Sequence, residues 1–450
     1  MRVLFAPANT SGQGSAMGEA IQRYGYTTET WVFGKSPFGI DCDRRFETAR
    51  LLADPNYRWD MFDQAVRNFD VFHFMAGRSL LDSAEPAMPV LWDLPLLRLL
   101  GKKVVMHFRG SDVRLPSVHL RREEDSYFRN LAVLPDEDAI MNRIAISRRH
   151  ADSLLVSTPG LLDYVPDAEW VGHVVTDTTV GYPRASEPDV PHVVHIPSSR
   201  ATKGSAQVEL AVQPLVEAGA ITYQSITGLT VKQTHDMLRQ ADIVVDSLTI
   251  GDHGLISVEA MAVGCIPIAH IADINRSRNP GVPVVEATGP TLQHVLAGLA
   301  SDPKRRAALR PELVKWVQTH HSHDAIGSRL HDIYQRPVVF PELHRTDWPV
   351  STSTRHVEGL ERRLADNHLQ GHPLFAGFGP PARTTPPALT ERLTQRIATL
   401  ESELANAGIT VNESVLGGTI RQFRPSVRAR LYQHPRLHLR LRQFIERRKK

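Results

Sequence analysis

The stretch Ser247–His270, SLTIGDHGLISVEAMAVGCIPIAH, decides the fold. Immediately before it, Ala241–Asp246 reads ADIVVD, a β-branched apolar run short enough to be a buried strand. The run gives way to a glycine-containing turn over Thr249–His253, and a helix is predicted from about Gly254 that carries Glu259 one to two turns in. Gly264 stops that helix and Ile266–Ile268 reads as the next strand, so the order is strand, turn, helix, strand. Such a half-unit aims the free N–H groups of a helix start, with their partial positive charge, into the crevice beyond the strands' carboxyl ends. A diphosphate fits there, and a carboxylate one turn down the helix can accept hydrogen bonds from a ribose. The competing structural reading is a glycine-capped core helix of any doubly wound protein.

Gly254-Leu255, then Val258-Glu259-Ala260-Met261-Ala262, then Gly264, Pro267 and Ala269 resemble the donor-site motif of the GT-B retaining glycosyltransferases of the large group 1 (family 4 type) class. That family includes sucrose- and mannosyl-transferring enzymes. Its motif has two glutamates separated by seven residues. The resemblance implies that Glu259 is the second and binds the donor ribose. The first falls on Gly251, a departure that leaves the nucleotide contact in place and removes a sugar contact, which Asp252 or His253 would take over. The implied fold is α/β, with two Rossmann-like domains facing a cleft and a C-terminal helical and basic extension.

Composition agrees with a globular two-domain chain: 450 residues, 42% apolar, 22% charged, with 31 prolines. The two cysteines, Cys42 and Cys265, are far apart and predict neither a disulfide framework nor a metal cluster, which suits a reducing cytoplasm. MRVLFAPANTSG reads as a strand entering a glycine turn, with too short an apolar stretch for a signal peptide, and no run reaches the length of a spanning helix. The net charge of +3 is unevenly placed, because Arg421–Lys450 holds eleven lysines and arginines against one acid, Glu446.

Along the first half, Arg2–Ala8 is a predicted strand, and its loop NTSGQGS leads into a helix over about Ala16–Tyr24. Gly12 and Gly14 in that loop allow close approach of backbone to a ligand. In the resembled family this loop faces the donor phosphates and the acceptor. Strands are expected at Thr28–Phe33, Val71–Phe74, Lys103–Phe108, Leu154–Ser157 and Trp170–Val174, an alternation that predicts a parallel sheet covered by helices. Two of their ends carry chemistry: Val71-Phe72-His73-Phe74 runs into Met75-Ala76-Gly77-Arg78, and Val104-Val105-Met106-His107-Phe108 runs into Arg109-Gly110-Ser111-Asp112. The second resembles the family's His-Gly-Ser/Thr-Asp segment with Arg109 where a His is common, which implies His107 beside the transferred sugar. His73, Arg78 and Asp112 are the acceptor-side candidates. The structural alternative for both histidines is a satisfied core imidazole. Asp41-Cys42-Asp43 spells an Asp-x-Asp, but it precedes Arg44-Arg45 between proline and glycine rather than ending a strand, so a solvated loop is expected and no metal.

A polar, proline-containing boundary is expected within about Thr176–Val190, giving domains 1–178 and 190–335. The second opens with a strand over His192–Ile196, followed by Pro197-Ser198-Ser199-Arg200-Ala201-Thr202-Lys203-Gly204 and a helix over about Ala206–Glu217. The resemblance implies an arginine and a lysine five residues apart on the diphosphate. Lys203 matches the lysine, Ser198 stands in the arginine's place and Arg200 lies two residues late. Gly228 falls where the family's backbone meets the base. Further helices are expected at Val231–Gln240, Thr291–Ala300 and Lys304–Thr319, with Ala325–Tyr334 crossing back onto the first domain. Residues 337–387 read as a linker. Leu389, Leu393, Ile397, Leu400 and Leu404 at helical spacing predict an amphipathic helix within 388–407, suited to self-association or to packing on the body. In the tail 421–450, arginines interleave with leucines and with Phe444 and Ile445, which suits an anionic membrane surface at the inner face. Clustered cations would also neutralise nucleic acid, but no recognition fold accompanies them, so no nucleic-acid partner is expected.

The functional expectation is therefore a metal-independent, cofactor-free glycosyltransferase acting on a nucleotide-sugar. The acceptor would be a glycan, a lipid-linked molecule or a small molecule, as in cell-surface polysaccharide or glycoconjugate assembly. His107, Arg200 and Lys203 are its catalytic candidates. Gly12, Gly14, Gly228, Asp252, His253, Gly254, Leu255 and Glu259 are its donor-binding ones. A GT-B epimerase or phosphorylase, and a nonenzymatic nucleotide-sugar-binding protein, are the alternatives.

Overall fold

The computed structural model describes residues 1–35, 40–81, 90–175 and 186–338. Two all-parallel sheets divide them. The first holds β1 (Arg2–Ala6), β2 (Thr27–Phe33), β3 (Arg44–Phe46), β4 (Val71–Met75), β5 (Lys103–Phe108), β6 (Ser153–Val156) and β7 (Glu169–Trp170), in the order β3-β2-β1-β4-β5-β6-β7. The second holds β8 (His192–His195), β9 (Thr222–Ser225), β10 (Ile243–Val245), β11 (Ile266–Ala269) and β12 (Val285–Glu286), in the order β12-β11-β10-β8-β9. This is the α/β architecture of two Rossmann-like sheets that the central stretch predicts. Strands β4, β5, β6, β10 and β11 are buried along their whole length, which is why they read as continuous apolar runs rather than as alternating ones.

Each sheet reverses its strand order once, between β1 and β4 in the first and between β8 and β10 in the second. Open parallel sheets bind ligands in the crevice at such points, outside the strands' carboxyl ends. The loops that leave those four strands carry Asn9–Gly14, Ala76–Arg78, Ser198–Lys203 and Asp246–Gly254, so the topology alone gathers most of the candidate residues.

Sequence and structure part company in a few elements. The strand expected at Trp170–Val174 is only Glu169–Trp170; beyond it Val174 N donates to Gln13 Oε1 at 2.8 Å and Gln13 Nε2 donates back to Val174 O at 3.0 Å. Edge strand β3 follows directly on the expected loop. Two of its three residues are arginines, and its support is the Arg44 guanidinium lying 4.6 Å from the Trp31 ring, a contact that propensity does not encode. Strands β9 and β12 are short and largely polar in exposure, and they too escape a search for apolar runs.

The last described helix, His323–Gln335, returns to the first sheet. Ile326, Leu330, Ile333 and Tyr334 join Met17 and Ile21 of the helix Gln13–Gln22 in one buried cluster. Gly327 permits this approach, since a Cβ there would meet Ala20 O at 2.7 Å. Most of the expected boundary, together with the 337–387 linker beyond residue 338, the 388–407 helix and the 421–450 tail, lies outside the described residues.

Candidate functional site

The site's foundation is Asp246, the residue that follows β10. Its carboxylate is buried and accepts from Lys203 Nζ at 2.6 Å, Gly254 N at 2.9 Å and Ser257 Oγ at 2.8 Å. Burial would raise the Asp246 carboxyl, but Lys203, with the Ser257 and Gly254 donors, outweighs it and holds it below the usual carboxylate range. Lys203 reaches this place because the short helix Arg200–Lys203, capped by Ser199, ends on Gly204. The Thr249 hydroxyl then ties the following loop to Thr202 O at 2.6 Å. Lys203 Nζ would lie 3.2 Å from a Cβ on Gly254, so the ammonium stands at the entrance of the helix Leu255–Ala262. The first-turn N–H groups of a helix have no carbonyl partner within it, and Leu255 and Ile256 of that turn line a pocket together with Lys203.

That pocket also takes in Glu259 one turn further on, Ser198, Gly228 and Leu229 from neighbouring loops, and Ser11 from the first half. Glu259 is mostly buried, with Oε1 3.2 Å from His235 Nε2 on the helix Val231–Gln240. Of the expected donor residues, then, Lys203, Gly228, Gly254, Leu255 and Glu259 come together. Arg200 does not join them. Its guanidinium is exposed and pairs with Glu209, which raises it further, while Ser225 Oγ lies at 3.5 Å. In the first glycine loop, Gly14 N donates to Asn9 Oδ1 at 2.8 Å and a Cβ there would press on the same oxygen, so Gly14 shapes the turn. Gly12 adopts φ +74 with open space around it.

The place of the missing glutamate is occupied after all. Gly251 adopts φ +72, and a Cβ built on it would overlap the carboxylate of Glu123, which arrives from the first half of the chain. Glu123 Oε2 lies 3.1 Å from His270 Nε2, and Glu286 Oε1 lies 2.7 Å from His270 Nδ1. The hydrogen bonds to Glu123 and Glu286 push His270 up to about 9. Around this seam His119 Nε2 meets Ile250 O at 3.1 Å and Tyr127 N donates to Thr249 O at 3.3 Å. Asp252 is fully engaged there. Oδ2 accepts from Gly160 N at 2.7 Å, while Oδ1 accepts from His253 N at 2.8 Å and lies 3.0 Å from His253 Nδ1. Asp252 thus braces the two halves, and His253 packs edge-on against Trp316.

At the carboxyl end of β5 the chemistry is different. His73 is entirely buried, with Nδ1 2.6 Å from Tyr334 Oη and Nε2 3.1 Å from His107 Nδ1. His107 Nε2 is buried without a partner. Burial and then Arg109 push His73 down to about 3, and the same two causes hold His107 well below its ordinary value, so both imidazoles are neutral at physiological pH. Asp112 spends its carboxylate on backbone: Arg109 N donates to both oxygens at 3.0 Å and Gly110 N donates at 2.6 Å. Arg78 is exposed beyond Ala76 and Gly77, both in the left-handed region. Asp43 of the Asp-x-Asp accepts from Thr30 N at 2.6 Å, and no group of three or more metal-ligating side chains exists among the described residues. No helix among them is long and apolar enough to cross a membrane.

Asp246, Glu123 and His235 were missed by sequence reasoning. Asp246 was open to discovery as the polar residue ending ADIVVD. The other two act on partners distant in sequence, and no local pattern marks them.

No family model matches the sequence, and no curated protein resembles it closely enough to count as a relative. Solved structures do match in fold. Sucrose-phosphate synthase from Thermosynechococcus elongatus aligns over 74% of this chain and 98% of its own, with 13% identity and a TM-score of 0.51. HepE from Anabaena, solved with UDP and glucose, aligns over 74% and 99% with 11% identity and a TM-score of 0.51. An alpha-glucosyltransferase solved with UDP and a 13-mer DNA aligns over 75% and 99%, again with 11% identity and a TM-score of 0.51. The chain thus shares the GT-B fold of these structures.

Proposed function

We propose that the protein is a retaining, metal-independent glycosyltransferase that moves a sugar from a nucleoside-diphospho-sugar to a glycan, lipid-linked or small-molecule acceptor. The observation that carries this reading is the conjunction of Lys203, the Gly254-Leu255 helix start and Glu259 around one pocket at the second sheet's switch point. Glu259 receives the ribose hydroxyls and the Gly228-Leu229 turn borders the base. The diphosphate lies against the helix start, where Lys203 and the N–H groups stabilise the negative charge that grows as the sugar departs. The departing diphosphate then accepts the acceptor's proton, so neither a metal nor a separate base is required. Glu123 stands where a carboxylate can accept from sugar hydroxyls, in the place Gly251 leaves open. The 421–450 tail would bring the cleft to an anionic membrane surface at the cytoplasmic face, beside a membrane-proximal acceptor, and the 388–407 helix would serve self-association.

The test is turnover with panels of donors and acceptors. Nucleoside diphosphate should form only when acceptor is present, and the glycosidic product should keep the donor's anomeric configuration by NMR. Donor consumption without acceptor would point to an epimerase or hydrolase on this fold. Nucleotide binding with no turnover on any acceptor would point to a sensor.

A further inference from the structure

At the end of β5 a largely buried guanidinium has no carboxylate hydrogen-bonded to it among the described residues. Arg109 Nη2 lies 3.2 Å from His173 Nδ1, and that imidazole is its one side-chain hydrogen-bond partner among the described residues. Its Nε and Nη1 are buried without partners. Together these two atoms carry three of the five N–H groups of a guanidinium. The neighbouring carboxylate, Asp112, acts on Arg109 through its charge but gives its hydrogen bonds to the Arg109 and Gly110 backbone. The neighbouring imidazoles supply no charge, since burial and then Arg109 hold both His107 and His173 well below their ordinary value. Arg109 itself is lowered by burial only to about 10, so it stays cationic at neutral pH. Beside it, His107 Nε2 is a second buried polar atom without a partner.

Buried polar groups in folded proteins are almost always satisfied, and a charged one is the most costly to leave unmatched. A planar guanidinium is best matched by a carboxylate or phosphate, whose oxygens accept several N–H bonds at once. Arg109 follows the carboxyl end of β5, beside β4 at the first sheet's switch point, the edge where open parallel sheets bind ligands. The diphosphate already has a cation and a helix start of its own on the second half.

We propose that Arg109 receives an anionic group of the substrate other than the donor diphosphate, a carboxylate or phosphate borne by the transferred sugar or by the acceptor next to it. The inference rests on the nucleotide-sugar reading, and it narrows the substrate to sugar acids or sugar phosphates.

The experiment is calorimetric titration of the full-length chain, wild type, Arg109→Gln and Arg109→Lys. The probes are UDP, GDP and ADP, then the glucose and glucuronate esters of whichever nucleotide binds. With that nucleotide bound, glucuronate and glucose 6-phosphate are titrated against glucose. The wild type should prefer the anionic member of one of these comparisons by about tenfold or more, the scale of a charge-assisted pair. The donor esters succeed if the transferred sugar bears the anion, and the free sugars if the acceptor does. Arg109→Gln should abolish that preference while holding bare nucleoside diphosphate within about twofold, and Arg109→Lys should restore part of it. Equal affinity for anionic and neutral members would overturn the proposal. So would an equal loss for the bare nucleoside diphosphate, which would make Arg109 a diphosphate ligand. A change in melting temperature with the preference intact would also overturn it, leaving buried water as the partner. If no nucleotide binds, the donor reading fails by itself. Arg109 is then judged on whether glucuronate or glucose 6-phosphate alone binds the wild type and not Arg109→Gln.

Discussion

The two sheets meet the cleft with opposite electrostatic arrangements. Beyond β8 and β10 the Lys203 ammonium is paired in advance, with Asp246 at 2.6 Å. Beyond β5 Arg109 keeps two nitrogens without hydrogen-bond partners, its neighbour Asp112 being bonded to backbone. A paired site is stable when empty, and its ligand must exchange with an existing bond. An unpaired site costs stability when empty and recovers it when the matching group arrives. In the proposed reaction the second half holds a donor whose charge changes, and the first selects a group whose charge is fixed.

Breaking the paired half should give the largest effect. Lys203→Met leaves the Asp246 carboxylate buried without its cation, and the loss of stability should be about 3–5 kcal/mol, read by chemical denaturation. Adding Asp246→Asn should recover much of that stability without recovering turnover. Turnover that recovers with stability would mean that Lys203 only supports the fold.

Acid should act on the other side of the comparison. His73 and His321 are pushed down to about 3, chiefly by burial, and His173 lies well below its ordinary value. Their unfolded counterparts take up protons below about pH 6.5, whereas the folded ones do not. The unfolded state thus binds more protons, and stability is full above pH 6.5 and falls toward pH 3, by about 1.4 kcal/mol per pH unit for each such histidine. Melting temperature measured from pH 7 to pH 5 should show this slope, and His321→Asn should flatten it. A slope unchanged by that substitution would assign the acid sensitivity elsewhere.

The seam between the halves should respond to alkali, more weakly. His270 is raised to about 9 by Glu123 and Glu286, so its folded form binds the extra proton. Its contribution is full below pH 6.5 and is lost as pH rises through about 9. The group is partly solvated, and Glu123→Gln should therefore cost only about 1 kcal/mol at pH 7 while removing part of the alkaline loss. An alkaline profile identical in wild type and variant would separate Glu123 from His270.

How much of this was legible follows from how local each feature is. ADIVVD, the turn and Gly264 lie within one short stretch, so strand β10, the helix after Gly254 and strand β11 could be read directly. Lys203 and Glu259 sit in local patterns and were found with them. Their partners were not: Asp246 lies 43 residues from Lys203, and Glu123 lies 147 residues from His270. The absence of a glutamate at Gly251 reads in sequence as a lost sugar contact, for Asp252 or His253 to take over, yet the carboxylate of Glu123 from the other half lies against Gly251. Arg200 shows the reverse error, a residue near the right register whose side chain turns outward to Glu209. Proximity along the chain predicts backbone position well and side-chain destination poorly.

The most direct measurement is ligand-dependent melting of the wild type and Glu259→Ala with UDP, GDP, ADP and their sugars. One nucleotide and its sugar should raise the wild-type melting temperature, by about 2.7 kcal/mol of stabilisation at a hundredfold excess over Kd. Glu259→Ala should lose most of that rise while melting like the wild type without ligand. The account is contradicted if no nucleotide shifts the wild type, or if Glu259→Ala melts lower without ligand and keeps the full rise with it.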